Sequence, residues 1–410
     1  MDEIARDLHV AYVMEGSVRK DGEQLRIGAK LVDVGQEKTL WAKTFDKGFA
    51  GIFDIQRQVA LEVASVLQIQ LDASAHFGRR YQPNASAYAF YLRGMFLRRK
   101  FSLSGLQGAV QQFHQAVAAD PKFADAYVQL AGVYASVIDL SYSTDSLILR
   151  RADSLLSIAK TLEPDFSPYN TFLGFVADLR GDKRTAELAY RTGIEKDSSI
   201  WYSHSLLGWL LLDQGRNAEA LDSFDGALRA DPTVFTPLAG KAVALVALGR
   251  TGEALLQIDN ALALEPANSL VLNIKAQVLM QQKDYTNALD ILHRSLAADS
   301  AKGPTHLYLA EALALRGDRR ECWEEWHRVH AAPDRNPSEA YALAILYASN
   351  GKRDSACVWL GRATDLGFSQ DELMSRDARL SPLRGEPCVE TAIGRARENR
   401  ERWKNAVASN

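Results

Sequence analysis

Glycine recurs at a fixed interval through the middle of this chain. Gly181, Gly215, Gly249, Gly317 and Gly351 lie on a 34-residue lattice, and Lys283 stands at its one gap. Five residues after each lattice point comes a small side chain: Ala186, Ala220, Ala254, Ala288, Cys322 and Ala356. A third series runs through Pro164, Pro232 and Pro266, with Ser198 and Ser300 in the intervening places. Three registers in phase at one period predict a stack of one repeated supersecondary unit rather than a single closed core.

The unit itself can be read at its clearest copy. Apolar residues at helical spacing fill about 201–214 and 217–230, separated by Gln214-Gly215-Arg216-Asn217. The glycine admits the left-handed backbone that ends one helix and starts the next. Ala220 then falls where the second helix must approach the first closely. Proline after an acidic residue, as in Asp231-Pro232 and Glu265-Pro266, disfavours helix for the residue before it and closes the unit. The repeat is a helical hairpin.

Residues 201–234, with Leu207-Gly208, Ala220, Phe224, Ala227 and Pro232, resemble the tetratricopeptide repeat. The same register gives 167–200, with Leu173-Gly174, Ala186 and Tyr190, then 235–268 and 269–302. It continues through 303–336, with Leu309-Ala310 and Trp326, and 337–370, with Leu343-Ala344, Tyr347, Ala356 and Ala363. Two looser units lie upstream, one around Tyr127, Leu130-Ala131 and Ala159, the other with Gly94, Ala109, Phe113 and Pro121. The resemblance implies a mainly α fold, a right-handed α-solenoid of about eight hairpins over residues 85–370. It also implies a non-enzymatic scaffold that holds a protein or peptide in the concave groove.

In such repeats the first helix of each pair lines the concave face. That register selects Phe172, Phe175, Tyr202, Leu206, Trp209, Val243, Ile274, Gln277, Leu307, Tyr308, Tyr341 and Ile345 as candidate groove residues. They are mostly apolar and aromatic, the chemistry of binding anchors. The competing reading is that many of them pack between neighbouring helices; Phe175 and Trp209 hold the same place in adjacent repeats. The basic and Asn residues of a carboxylate clamp are missing from these positions, which disfavours an acidic tail as ligand.

Residues 1–72 have another period. Leu25, Ile27, Ala29 and Leu31 alternate with polar or small residues, as in a half-buried strand. Tyr12, Met14, Gly16 and Val18 give a second strand, joined through Lys20-Asp21-Gly22-Glu23, and 39–45 a third. Ile52, Ile55, Val59, Val63 and Leu67 follow helical spacing, and Ile4 to Leu8 suggest the end of another helix. The expected module is a small α/β unit, a three-strand meander plus helix, followed by a linker over 73–84. Glu15-Gly16-Ser17-Val18-Arg19, Leu40-Trp41-Ala42 and Ile52-Phe53-Asp54-Ile55-Gln56 resemble the second half of the TolB-like amino-terminal module of bacterial proteins. That module commonly precedes such repeats, in polypeptides that can begin with a Ser/Thr kinase, a nucleotide cyclase or a winged-helix domain. The expectation is that this chain is the carboxy-terminal part of such an architecture, and the alternative function is the regulatory tail of a kinase or adenylate cyclase.

Composition narrows the remaining classes. Lys and Arg number 48 against 51 Asp and Glu, so no basic footprint points to nucleic acid. No phosphate loop, HExxH motif or nucleophile elbow occurs, and no catalytic residue or cofactor is expected. Cys322, Glu324, Glu325, His327 and His330 are the densest set of metal-ligand types, but the repeat register already accounts for Cys322 and Trp326, so no metal is expected. Three cysteines without a CxxC pair are expected to be reduced thiols. No apolar run is long enough for a membrane span, and the acidic Met1-Asp2-Glu3 start is unlike a signal peptide. The expected location is cytoplasmic, or extracytoplasmic if a span precedes this chain. Residues 371–410, with Leu380-Ser381-Pro382-Leu383-Arg384 and the basic run Arg395 to Lys404, are expected to form a solvated cap and tail.

Overall fold

The computed structural model describes residues 10–21, 24–48, 52–67, 81–100, 102–139, 146–164, 167–298, 303–328 and 337–408. The helix expected at Ile4 to Leu8, the tip Gly22-Glu23 of the first hairpin and most of the linker lie outside these residues. The chain divides into two units: residues 1–100 with 107–129, and residues 101–106 with 130–410.

In the first unit, β1 (Tyr12–Asp21), β2 (Gln24–Asp33) and β3 (Lys38–Gly48) form an antiparallel sheet in that order. Tyr12 pairs with Asp33 and Gln24 with Gly48, and the β2–β3 register shifts between Leu31 and Val32. Alternation sorts the side chains, leaving Leu25, Leu31 and Phe45 buried and Tyr12, Met14 and Val18 exposed. Helix α1 (Ile52–Val66) buries Ile55 and Ala64 and touches β3. Trp41 Nε1 and Lys43 Nζ both donate to Glu62, at 3.0 and 2.5 Å. The lysine above all holds that carboxyl below its usual range. Helix α2 (Ala85–Arg98) opens on an Asn84 side chain that accepts from the Ala87 amide at 2.9 Å. Gly94 lets the Phe113 ring of α3 (Leu103–Ala119) lie against the helix; a Cβ there would come within 2.6 Å of it.

Helices α4 (Ala124–Asp139) and α5 (Ser146–Leu162) follow. The second unit then runs as strict pairs: α6 (Ser167–Leu179) with α7 (Lys183–Lys196), α8 (Trp201–Asp213) with α9 (Asn217–Ala230), and α10 (Phe235–Ala247) with α11 (Thr251–Leu264). After these come α12 (Ser269–Gln281) with α13 (Tyr285–Ala298), α14 (Gly303–Arg316) with α15 (Arg319–Arg328), and α16 (Pro337–Ser349) with α17 (Arg353–Asp365). This is an α-solenoid of helical hairpins.

Every lattice point does the work its residue type suggests. Gly181, Gly215, Gly249, Gly317 and Gly351 have φ between 71° and 102°. The turn is a Schellman motif: the Gly215 amide donates to the Leu212 carbonyl at 2.8 Å and the Arg216 amide to Leu211 at 2.9 Å. Lys283 takes the same conformation, with φ 64°, and makes the same two bonds. The small residues five places on are all fully buried. Phe224 shows why small residues flank them: its ring lies against both Gly208 and Gly240, and a Cβ on either would collide with it.

Candidate interaction groove

First helices of consecutive pairs touch one another: α6 meets α8, α8 meets α10, and so on to α14 and α16. Second helices touch chiefly their own partners and the next first helix. The stack therefore curves with its first helices inside, and the twelve candidates lie on those helices.

Their burial divides them. Phe172, Phe175, Ile274, Leu307, Tyr341 and Ile345 are buried, whereas Tyr202, Leu206, Trp209, Val243, Gln277 and Tyr308 keep part of their surface open. The structure brings some together as ring pairs. Phe172 and Tyr202 stack with centroids 5.4 Å apart, and Trp209 meets the edge of Phe224 at 5.7 Å. Tyr341 stacks instead on Phe368, at 4.6 Å, a residue beyond the last hairpin.

That partner introduces what sequence reasoning missed. After the Schellman turn at Gly367, with φ 102°, the chain leaves the repeat pattern and lies along the inner helices. Helix α18 (Asp371–Arg376) touches α10, and a 3-10 turn (Ala378–Leu383) touches α12 and α16. Helix α19 (Pro387–Ala408) packs on α17 and α18 and reaches α7. Ser369 Oγ donates to the Asp213 carbonyl at 2.5 Å, Gln370 Nε2 to Leu212, and Arg376 Nη1 to Ala247 at 3.1 Å. Phe368, Met374, Leu380 and Leu383 are buried in one cluster with Tyr341, Ala344 and Ile345.

Of the basic run expected to be solvated, Arg395, Arg397 and Arg402 are exposed, but the segment before it is buried and Arg400 departs from the expectation. Arg400, with only 15% of its side chain exposed, pairs with Asp371 at 2.9 Å and Glu372 at 3.3 Å. The cause is burial against helices far away in sequence. The visible signal was the apolar set Leu373, Met374, Leu380 and Leu383 ahead of the charged helix.

The centre of this overlay is ionic. Arg379, 5% exposed, donates to Glu311 of α14 at 2.7 Å and to both oxygens of Asp377 at 2.7 to 3.1 Å. Tyr341 donates its hydroxyl to Asp377 at 2.9 Å. Burial pushes the Glu311 carboxyl up to about 7, because Arg379 compensates only part of its desolvation and Asp377 repels it. Asp377 is held below its usual range despite burial, since it takes most of the guanidinium and a phenol hydrogen bond.

Cys357 and Cys388 correct the expectation of three reduced thiols. They form a disulfide between α17 and the first turn of α19, with Cα atoms 5.6 Å apart. The packing of those two helices brings together residues that share no local motif. Cys322 is free and buried, and His327 is exposed. Glu325 pairs with His306 Nδ1 at 2.8 Å, and His330 lies outside the described residues. Among the described residues no cluster is placed to hold a metal, and no helix is long and apolar enough to cross a membrane.

The hairpin, its 34-residue period and its Schellman turn define a helical-repeat solenoid. Tetratricopeptide-repeat profiles match residues 180–234 and 240–303, and another matches 303–328, so the chain carries tetratricopeptide repeats. A curated relative, "Putative adenylate cyclase 3" of Rhizobium meliloti (strain 1021), is 30% identical over 130 residues, 31% of this chain. Those residues span 22% of that relative's length. Among solved structures, a chain of the APC/C hetero-tetramer Cut9-Hcn1 aligns with a TM-score of 0.54 at 12% identity, covering 75% of this chain and 55% of that one. A tetratricopeptide repeat protein from Parabacteroides merdae ATCC 43184 has a TM-score of 0.42 at 12% identity, covering 63% of this chain and 96% of its own.

Proposed function

We propose that this chain is a non-enzymatic scaffold that binds a protein or peptide along its inner helices. The supporting observation is that Tyr202, Leu206, Trp209 and Val243, on α8 and α10, keep surface open to solvent with the carboxy-terminal segment in place. Half-buried aromatic side chains on a rigid helix offer contact area at little entropic cost. The balanced charge favours a protein over nucleic acid as partner. The test is capture of partners by the full chain beside its Trp209→Ala variant. Loss of a specific partner with an unchanged melt supports the reading; loss of the melt itself makes Trp209 core and refutes its role as a contact.

A second reading makes these repeats the regulatory part of a bacterial signalling polypeptide with a kinase or cyclase domain. The identity to the Rhizobium meliloti relative favours it, and the three-strand meander fits the TolB-like module that such polypeptides carry. Sequencing the frame upstream of Met1 tests it: a catalytic domain in frame supports it, and an immediate in-frame stop refutes it. Disulfides persist in oxidising compartments, so the Cys357–Cys388 bond favours an extracytoplasmic location over the cytoplasmic one.

A further inference from the structure

We propose that the inner face around Glu311 and Tyr341 is a recognition site for a peptide bearing an arginine next to leucine, and that residues 376–386 occupy it as a displaceable internal ligand. This rests on the groove reading above and names the chemistry of the guest.

Glu311 carries the first argument. It stands in the run Leu309-Ala310-Glu311-Ala312-Leu313 of α14, where its four neighbours are buried apolar residues and it is itself 1% exposed. A carboxylate there is costly unless a cation reaches it, and nothing in the hairpin repeat calls for one. The cation that reaches it is Arg379, which no helix of the array supplies. Charge complementarity therefore lies between the inner face and a segment laid over it.

The rest of the contact has the same character. Leu380 and Leu383, 5% and 0% exposed, fill the apolar cluster beside Tyr341 and Ile345. Tyr341 gives its hydroxyl to Asp377. Arg376 and Ser369 bind main-chain carbonyls at the carboxyl ends of α10 and α8. The segment itself breaks the repeat: a six-residue helix, then a 3-10 turn with Pro382 inside it. It is a short irregular peptide anchored by one arginine and two leucines on the first helices of the array. A segment of the same chemistry supplied by another molecule meets the same groups.

The test uses the full chain and a fluorescein-labelled peptide of sequence 376–386, followed by anisotropy. On the wild-type chain the internal copy competes at an effective concentration on the order of mM, so binding is weak. In the Arg379→Met chain the internal copy loses its anchor. The peptide then binds at least roughly tenfold tighter, the loss of one charge-assisted contact from the competitor. A peptide with methionine for that arginine loses the gain. Hydrogen exchange on the wild-type chain shows amides of 371–386 opening ahead of those of α12 and α16.

Equal peptide affinity for both chains, equal affinity of the arginine and methionine peptides, or exchange of 371–386 only on global unfolding overturns the proposal and makes the segment a permanent strut. Should Arg379→Met not fold, Arg376→Ala removes only the contact to the Ala247 carbonyl and leaves the pocket whole. Tighter peptide binding by that variant supports the proposal, and unchanged binding overturns it. Failure of the peptide on an opened chain leaves Trp209-dependent capture untouched, so the two readings fail separately.

Discussion

Replacing Lys283 by glycine should stabilise the protein. Lys283 holds the one lattice position without glycine, at φ 64°, and its side chain is exposed. Its turn is complete: the Lys283 amide donates to Met280 at 3.0 Å and the Asp284 amide to Leu279 at 2.9 Å. The hydrogen bonds are therefore not what changes. An L side chain in the left-handed region costs about 1–2 kcal/mol, and glycine adds back about 0.4–1 kcal/mol through the freedom of the unfolded chain. The net gain is about 0.5–1 kcal/mol. Gly317→Ala is the converse, with φ 102° and no atom within 4 Å of the added Cβ, so its net loss of about 1 kcal/mol is backbone strain less the unfolded-chain gain, with no clash added. Lys283→Ala keeps the strain while removing the charge and should gain nothing. Urea titration by circular dichroism reads all three as shifts of midpoint at constant slope. If Lys283→Gly and Lys283→Ala shift the midpoint equally, the gain comes from the side chain and the conformational account of the lattice is wrong.

Ala220→Leu should cost about 1–3 kcal/mol by overpacking a fully buried helix contact; an unchanged melt would contradict close approach of α8 and α9. Glu311→Gln should flatten the pH dependence of stability between about pH 4.5 and 7. The Glu311 pKa rises from 4.5 to about 7 on folding, so the native state keeps a proton that the unfolded chain gives up. Its contribution is fully present below pH 4.5 and falls by up to about 3 kcal/mol as pH rises to 7. Asp377, depressed by Arg379, works in the opposite sense at lower pH, losing its contribution as pH falls. Parallel stability profiles for wild type and Glu311→Gln would refute the assignment.

Local chemistry made the solenoid legible. A left-handed turn, a close helix contact and a ring on a glycine each demand a residue type at a fixed offset, and Gly215, Ala220 and Phe224 declare them in sequence. The meander was equally open, since Leu25 to Leu31 alternate as a half-buried strand must. The carboxy-terminal segment was hidden because its partners are remote. Ser369 meets Asp213 and Arg376 meets Ala247, 156 and 129 residues away. No periodicity records such pairs. The same contacts decide which inner side chains stay open: Tyr341 sits in the groove register but is covered by Phe368 and Asp377, whereas Trp209 keeps part of its surface.

The bond between Cys357 and Cys388 encloses α18 and the 3-10 turn of the overlay, and nearly all of α19 lies beyond it. Residues 358–387 form a covalent ring with its ends on α17 and α19, so the segment over Glu311 leaves the inner face as a loop and never as a free tail. A pull on the carboxyl terminus runs through α19 into Cys388 and across to α17. The last hairpin shares that load with the Arg400 pairs to Asp371 and Glu372, and the bond spares Arg379 and Leu383 part of it. Reduction of the bond leaves the Arg400 pairs and the overlay to carry the same pull alone, so the thiol state of two residues sets how much of it reaches the groove.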